Sequence, residues 1–406
     1  MEIEIGRGKK ARRAYGFDDV AIVPSRRTRD PEDVDISWTL GPYRFELPLL
    51  GAALDGVVSP ETAGIIGRLG GLAVLNLEGI FTRYEDVDSQ LERIASLDRD
   101  EATREMQEIY REPVKPELIS QRIREIKEHG VVVAASLTPQ RVREHYEIAL
   151  EAGLDILVIQ GTVVSAEHVS TVAEPLNLKE FIREIPVPVI VGGCASYHTG
   201  LHLMRTGAAG VLVGVGPGAI CTTRGVLGIG VPQATAIADV AAARSQHMLE
   251  TGDYVRVIAD GGMKNGGDIA KAIACGADAV MLGSALARAY EAPGRGYNWG
   301  MATFHPTLPR GTRVRTVQNA SIEEIVLGPA RENDGMFNLM GALKTSMATC
   351  GYRDIAEFNR AELMVAPALQ TEGKHLQRDQ QVGMGSAGAS AERLVPSGGV
   401  IAGSRA

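Results

Sequence analysis

Residues 257–287 read VIADGGMKNGGDIAKAIACGADAVMLGSALA, a run that passes from apolar to amphipathic and back to apolar. The unbroken apolar stretch at 255–260 predicts a strand covered on both faces, and 279–283 predicts a second one. Between them the spacing predicts a helix from Asn265 to Cys275, with Ile269, Ala272 and Ile273 on one face and Asp268 and Lys271 on the other. Gly276 ends that helix and Ala277-Asp278 leads into the next strand. The same turn occurs at Glu151-Ala152-Gly153-Leu154-Asp155 and at Thr206-Gly207-Ala208-Ala209-Gly210, so the βα unit is repeated along the chain. Further strand-like runs fall at 48–53, 72–75, 131–135, 155–160, 188–192 and 210–214, with helical periodicity between them. Eight such runs favour an α/β fold closed as a (β/α)8 TIM barrel over an open sheet.

The chain of 406 residues is long enough for one large barrel with decorations. Residues 1–47 read as an N-terminal arm, 48–366 as the barrel, 82–128 as a charged helical excursion, and 291–328 as a mobile cover loop at the rim. From 367 to 406 the composition drifts to Gln, Gly, Ser and Ala, which predicts a flexible, disordered C-terminal tail. The formal net charge of −8 argues against a nucleic-acid surface, and Arg26-Arg27-Thr28-Arg29 reads as a solvated arm. Four cysteines at 194, 221, 275 and 350 form no metal-type or disulfide-type spacing. MEIEIGRGKK lacks the apolar core of a signal peptide, and no window is apolar enough to span a bilayer, so a cytoplasmic protein with no membrane partner is expected.

The chemistry concentrates after the sixth strand, in Gly214-Val215-Gly216-Pro217-Gly218-Ala219-Ile220-Cys221-Thr222-Thr223-Arg224. Glycines there let the backbone turn tightly and approach a ligand, and Cys221 offers a nucleophile. Phosphate sites in barrels favour the last two strand-to-helix loops, here Asp260-Gly261-Gly262 and Gly283-Ser284. Backbone N–H groups of Gly218, Ala219, Gly262, Gly283 and Ser284 are therefore expected to hold one phosphate.

The run GVGPGAICTTRGVLGIGVPQ at 214–233, together with 257–287, resembles the IMP dehydrogenase and GMP reductase family, with weaker similarity from about Arg13 to Leu363. The resemblance implies a purine nucleoside monophosphate, GMP or IMP, whose C2 carbon forms a covalent adduct with Cys221. It makes Thr223 the hydroxyl that passes a proton to water or ammonia, and Asp260 the acceptor for the ribose diol. It places a nicotinamide cofactor, NADPH or NAD, near Asp55 and Gln160-Gly161-Thr162, and a potassium-type monovalent cation on the carbonyls of Gly216, Gly218 and Cys221. A homo-oligomer, tetramer or octamer, is expected. The family's dehydrogenases often carry paired CBS regulatory modules at the position of the excursion, and this chain has no room for them.

Several residues depart from the family pattern. Ala219 stands where Ser is usual, Leu54 where Met is usual, Gln160-Gly161-Thr162 where dehydrogenases have Asp-Ser-Ser, and Lys344-Thr345-Ser346 where Arg-Ser is usual. Between Gly300 and Thr316 there are Arg310, Arg313 and Arg315 but no Arg-Tyr pair of the kind that activates water in the dehydrogenases. Glu291 and His305 are the acid candidates nearest the cover loop. This pattern puts NADPH-dependent reductive deamination of GMP first, with NAD-dependent IMP oxidation and a non-catalytic nucleotide-binding paralogue as alternatives.

Overall fold

The computed structural model describes residues 2–166, 171, 175–300, 313–366 and 373–383. Eight parallel strands close into a barrel: β1 (Leu49–Gly51), β2 (Leu72–Asn76), β3 (Ala134–Leu137), β4 (Ile156–Gln160), β5 (Val189–Cys194), β6 (Gly210–Val213), β7 (Arg256–Asp260) and β8 (Ala279–Leu282). They pair in sequence order, and β8 returns to β1 through Val280↔Leu49 and Leu282↔Gly51. The strands are covered on both faces, which is why their sequences are apolar throughout.

The covering helices are α1 (Pro60–Arg68), α2 (Pro116–Glu128), α3 (Val142–Glu151), α4 (Leu178–Glu184), α5 (Tyr197–Met204), α6 (Gln233–Thr251), α7 (Gly266–Ala274) and α8 (Leu339–Thr349). The repeated turn has a structural reason. Asp155 and Asp278, each at the entry to a strand, accept from the backbone N–H of Val133 and Val257 at 2.9 and 2.8 Å, pinning each strand to its predecessor. Asp278 also meets Arg244 at 2.7 Å and the Tyr254 hydroxyl at 2.8 Å, an almost fully buried ion pair with its remaining oxygen satisfied.

The N-terminal segment acts as a plug. The hairpin of Trp38–Leu40 and Tyr43–Phe45 lies under the barrel, with Leu40 against Gly210 at the start of β6 and Trp38 Nε1 donating to the Leu47 carbonyl at 2.9 Å. Val20–Ile22 pairs with Leu363–Val365 and ties the two ends of the domain together. Arg29, read as part of a solvated arm, is instead docked on α8: its Nε donates to the Gly351 carbonyl at 2.9 Å and its N–H to the Ala348 carbonyl. With the N-terminal end plugged, the open mouth is the C-terminal end.

The excursion holds helices Val87–Ser96 and Arg99–Ile109, and Pro116–Glu128 belongs to the barrel as the crossover from β2 to β3. The cover segment is more regular than its composition suggests, since Tyr297–Trp299 pairs antiparallel with Arg313–Arg315 and Ile322–Val326 is helical. Arg313 packs over the Tyr297 ring and donates to the carbonyls of Ile94 and Leu97, anchoring this hairpin on the excursion. Within the tail, His375–Asp379 forms a helical turn, while 367–372 and 384–406 lie outside the described residues.

Candidate active site

A cavity of about 840 Å³ opens at the C-terminal mouth, within the range that small-molecule sites occupy. The loop after β6 enters it through close backbone contact. A Cβ on Gly214 would lie 2.2 Å from the Asp260 carbonyl, so only glycine lets β6 and β7 approach this closely. Gly216, Gly261 and Gly262 have φ of +73°, +73° and +83°, left-handed values that turn both loops inward. The two loops touch: the Cβ position of Gly261 is 3.5 Å from the Gly218 nitrogen.

Gln233, the first residue of α6, staples them together. Its Nε2 donates to the carbonyls of Val213, Asp260 and Gly261 at 3.1, 3.1 and 3.2 Å. The residue closes the quoted motif, but its role depends on contacts between loops that no local pattern encodes.

Cys221 lines the cavity and is exposed, whereas Cys194, Cys275 and Cys350 are buried. Burial pushes the Cys194 and Cys275 thiols up to about 12, which leaves them inert as nucleophiles. The Cys221 thiol donates to Thr223 Oγ1 at 3.2 Å. Thr223 is buried at the first position of the short helix Thr223–Leu227, and the helix cap is its neighbour Thr222. Its hydroxyl is thus fixed beside the sulfur.

Asp260 ends β7 on the cavity floor and accepts from Gln160 Nε2 at 3.2 Å. Desolvation by the barrel wall pushes its carboxyl from the ordinary 3.8 up to about 7, with the Gln160 amide pulling the other way. Gly261, Gly262, Gly283 and Ser284 line the same cavity, as do Gly216, Gly218 and Ala219. The start of α7 is already occupied: Asn265 caps it through the Asp268 N–H, and Gly266 N donates to the Gly335 carbonyl. An anion here would therefore rest on loop N–H groups rather than on the end of that helix.

Gln160, Gly161 and Thr162 line the rim, with Leu54 and, unforeseen from the sequence, Thr138-Pro139-Gln140 after β3. Asp55 is different. It is 2% exposed, outside the cavity lining, and its carboxylate is spent on Asn76 Nδ2 at 3.3 Å, the Ile80 N–H at 3.0 Å and the Tyr110 hydroxyl. Trp299 Nε1 in turn donates to the Tyr110 oxygen at 2.7 Å. The cofactor contact expected of Asp55 is corrected on this ground: the residue is a buried anchor that joins the barrel, the excursion and the cover hairpin. Glu291 is also set aside as an acid at the site, because both its oxygens accept from the Ile322 N–H and it is not among the lining residues. His305 and Arg310 lie outside the described residues.

Three neutral carbonyls, from Gly216, Gly218 and Cys221, suit a weakly hydrated monovalent cation better than a divalent one, which needs carboxylates. Gly218 O already accepts from the Cys221 N–H at 3.0 Å, a bond that fixes the turn between them. No cluster of three or more His, Cys, Asp or Glu suited to a metal ion occurs among the described residues.

Fold and site together define a parallel barrel with one exposed cysteine thiol in the cavity at its C-terminal mouth. The sequence profile of the IMP dehydrogenase / GMP reductase domain matches residues 14–375, and the chain belongs to this family of oxidoreductases. An uncharacterized oxidoreductase of Mycolicibacterium smegmatis is 48% identical over 372 residues, covering 89% of this chain and 99% of that protein. The inosine-5'-monophosphate dehydrogenase of Methanocaldococcus jannaschii is 27% identical over 481 residues, with coverage of 89% and 95%. The crystal structure of an IMP dehydrogenase/GMP reductase-like protein from Corynebacterium glutamicum superposes with a TM-score of 0.86 at 47% identity, covering 90% of this chain and 98% of that one. Among the described residues no helix is long and apolar enough to cross a membrane.

Proposed function

We propose that the protein oxidises or reduces a 6-oxopurine nucleoside monophosphate at C2, through a covalent bond to Cys221. The observation that carries this reading is the exposed thiol of Cys221 in a cavity that also holds Thr223, Asp260 and the glycine loops, while every other cysteine is buried. The loops of Gly218, Ala219, Gly261, Gly262, Gly283 and Ser284 bind the phosphate, and ionised Asp260 accepts from the ribose diol. Both hold C2 over the sulfur.

The Cys221 thiolate adds to C2. In the oxidative direction a hydride leaves C2, water then adds there with loss of a proton towards Thr223, and the thiolate departs to release XMP. In the reductive direction GMP loses ammonia from the adduct, a hydride arrives at C2, and the thiolate departs to release IMP. A nicotinamide dinucleotide, held along Gln160-Gly161-Thr162, supplies the hydride acceptor or donor. Carbonyls of Gly216, Gly218 and Cys221 would hold a potassium-type ion and stiffen the loop.

Between the directions, the relative named inosine-5'-monophosphate dehydrogenase, matched over most of both chains, favours NAD-dependent oxidation of IMP. The missing Arg-Tyr pair at 300–316 favours NADPH-dependent reduction of GMP. Incubation of the protein with IMP and NAD, and separately with GMP and NADPH, decides: rising absorbance of reduced nicotinamide supports the first, falling absorbance the second. A flat trace in both, with either nucleotide raising the melting temperature, leaves a binding protein. Leu227 and Ile229, 38% and 49% exposed beside the catalytic loop, offer apolar surface that a second copy would cover, consistent with a homo-oligomer, tetramer or octamer. Light scattering after size exclusion tests that, with a monomer the contrary result.

A further inference from the structure

Arg288 closes the short turn Leu286–Arg288 that follows Gly283 and Ser284, and it lines the same cavity as the glycine loops. Its acceptors are neutral: Nη1 donates to the Met336 carbonyl at 3.4 Å and Nη2 to Asn319 Oδ1 at 3.1 Å, with the guanidinium 5.2 Å from the centre of the Phe337 ring. Among the described residues no carboxylate lies within ion-pair distance of it, and Asp334 acts on it only from farther away. Burial accordingly pulls its pKa below the usual arginine value. A guanidinium carries five N–H donors and is costly to withhold from water without a counter-charge.

The cavity's other charged lining groups do not supply that counter-charge. Lys264 is cationic and faces Asp18 at 3.6 Å, while Asp260 stands on the floor and bonds Gln160. Nearby, Ala219 offers no side-chain donor, and Ser284 Oγ accepts from Asn298 Nδ2 at 3.5 Å, which leaves the Ser284 O–H for another acceptor. Asn298 itself is fully buried with Oδ1 unpartnered. A half-buried cation and a spare hydroxyl donor thus line the same cavity as the glycine loops.

We propose that Arg288 is the charged group that recognises the phosphate of the bound nucleotide and makes the site selective for a nucleoside monophosphate over the free nucleoside. This rests on the purine nucleotide reading above. The guanidinium gives the phosphate a fork of donors, and the phosphate gives the guanidinium its missing counter-ion.

Calorimetric titration of the full chain with IMP, inosine and NAD tests this. The wild type binds IMP more tightly than inosine, and Arg288→Met weakens IMP about ten- to a hundredfold while leaving inosine within about twofold. Arg288→Lys recovers part of the loss, and the salt dependence of IMP binding flattens in Arg288→Met. Equal weakening of IMP and inosine would mean a packing role and overturn the proposal. So would unchanged IMP affinity, or loss confined to NAD. Wild-type protein that binds no purine nucleotide at all would instead overturn the reading on which the proposal stands. If Arg288→Met fails to fold, as seen by circular dichroism, Arg288→Lys decides: IMP affinity equal to the wild type across the salt range refutes the role.

Discussion

Asp260→Asn separates what the cavity floor costs in stability from what it gives in binding. In the folded chain the carboxyl ionises near 7 instead of the ordinary 3.8 because the barrel wall withholds water. The native state therefore binds a proton more tightly than the unfolded state, and stability falls as pH rises from about 4 to about 7, then levels off. Three pH units at about 1.4 kcal/mol each set an upper bound of about 4 kcal/mol, and water entering the open cavity reduces this to about 2–4 kcal/mol. The amide removes the charge and keeps an acceptor for Gln160 Nε2, so Asp260→Asn should match the wild type in acid and exceed it by that amount above pH of about 7. Denaturant midpoints of both proteins across this range give the difference directly, because all other titrating groups cancel. Nucleotide affinity should move in the opposite sense: it rises through neutral pH in the wild type, as the carboxylate forms to accept the ribose hydroxyls, and is weaker and flatter in the variant. Parallel stability curves, or equal affinity at all pH values, would refute the placement of Asp260 as a desolvated ribose acceptor.

Cys221→Ala should abolish turnover with either nucleotide pair while nucleotide affinity stays within about tenfold, as measured by calorimetry. In the native protein, iodoacetamide followed by peptide mass mapping should label Cys221 well before Cys194, Cys275 or Cys350, since those thiols are buried and their ionisation is pushed up. Asp278→Ala strands the buried Arg244 guanidinium and should cost about 3–5 kcal/mol in chemical denaturation, with catalysis per folded molecule little changed. A loss below about 1 kcal/mol would show that the pair does not hold β7 and β8 together.

The barrel was legible because doubly covered parallel strands must be apolar throughout, and because the helix-ending glycine turn repeats at Gly153, Gly207 and Gly276. The third strand was displaced: apolar character begins at Val131, but the strand forms at Ala134–Leu137, because Val131 packs under Gly67 of α1 instead. The loop after β6 and the two glycine loops were legible as dense local motifs, and the structure brings all three to one cavity. Asp55 was not, since its partners Tyr110 and Trp299 come from the excursion and the cover hairpin, far away in sequence. Gln233 and Arg288 gave no signal of their own. A polar residue at a helix start and a lone arginine both read as surface, and only the closure of the barrel brings Gln233 between the two loops and Arg288 to the cavity.

The proposed chemistry requires a covalent bond between Cys221 and the purine. Acid-quenched mixtures of the full chain with IMP and NAD, and with GMP and NADPH, digested and analysed by mass spectrometry, should show a peptide containing Cys221 heavier by the purine nucleotide in the productive mixture. Turnover with Cys221 unmodified throughout, or an adduct on another residue, would contradict it.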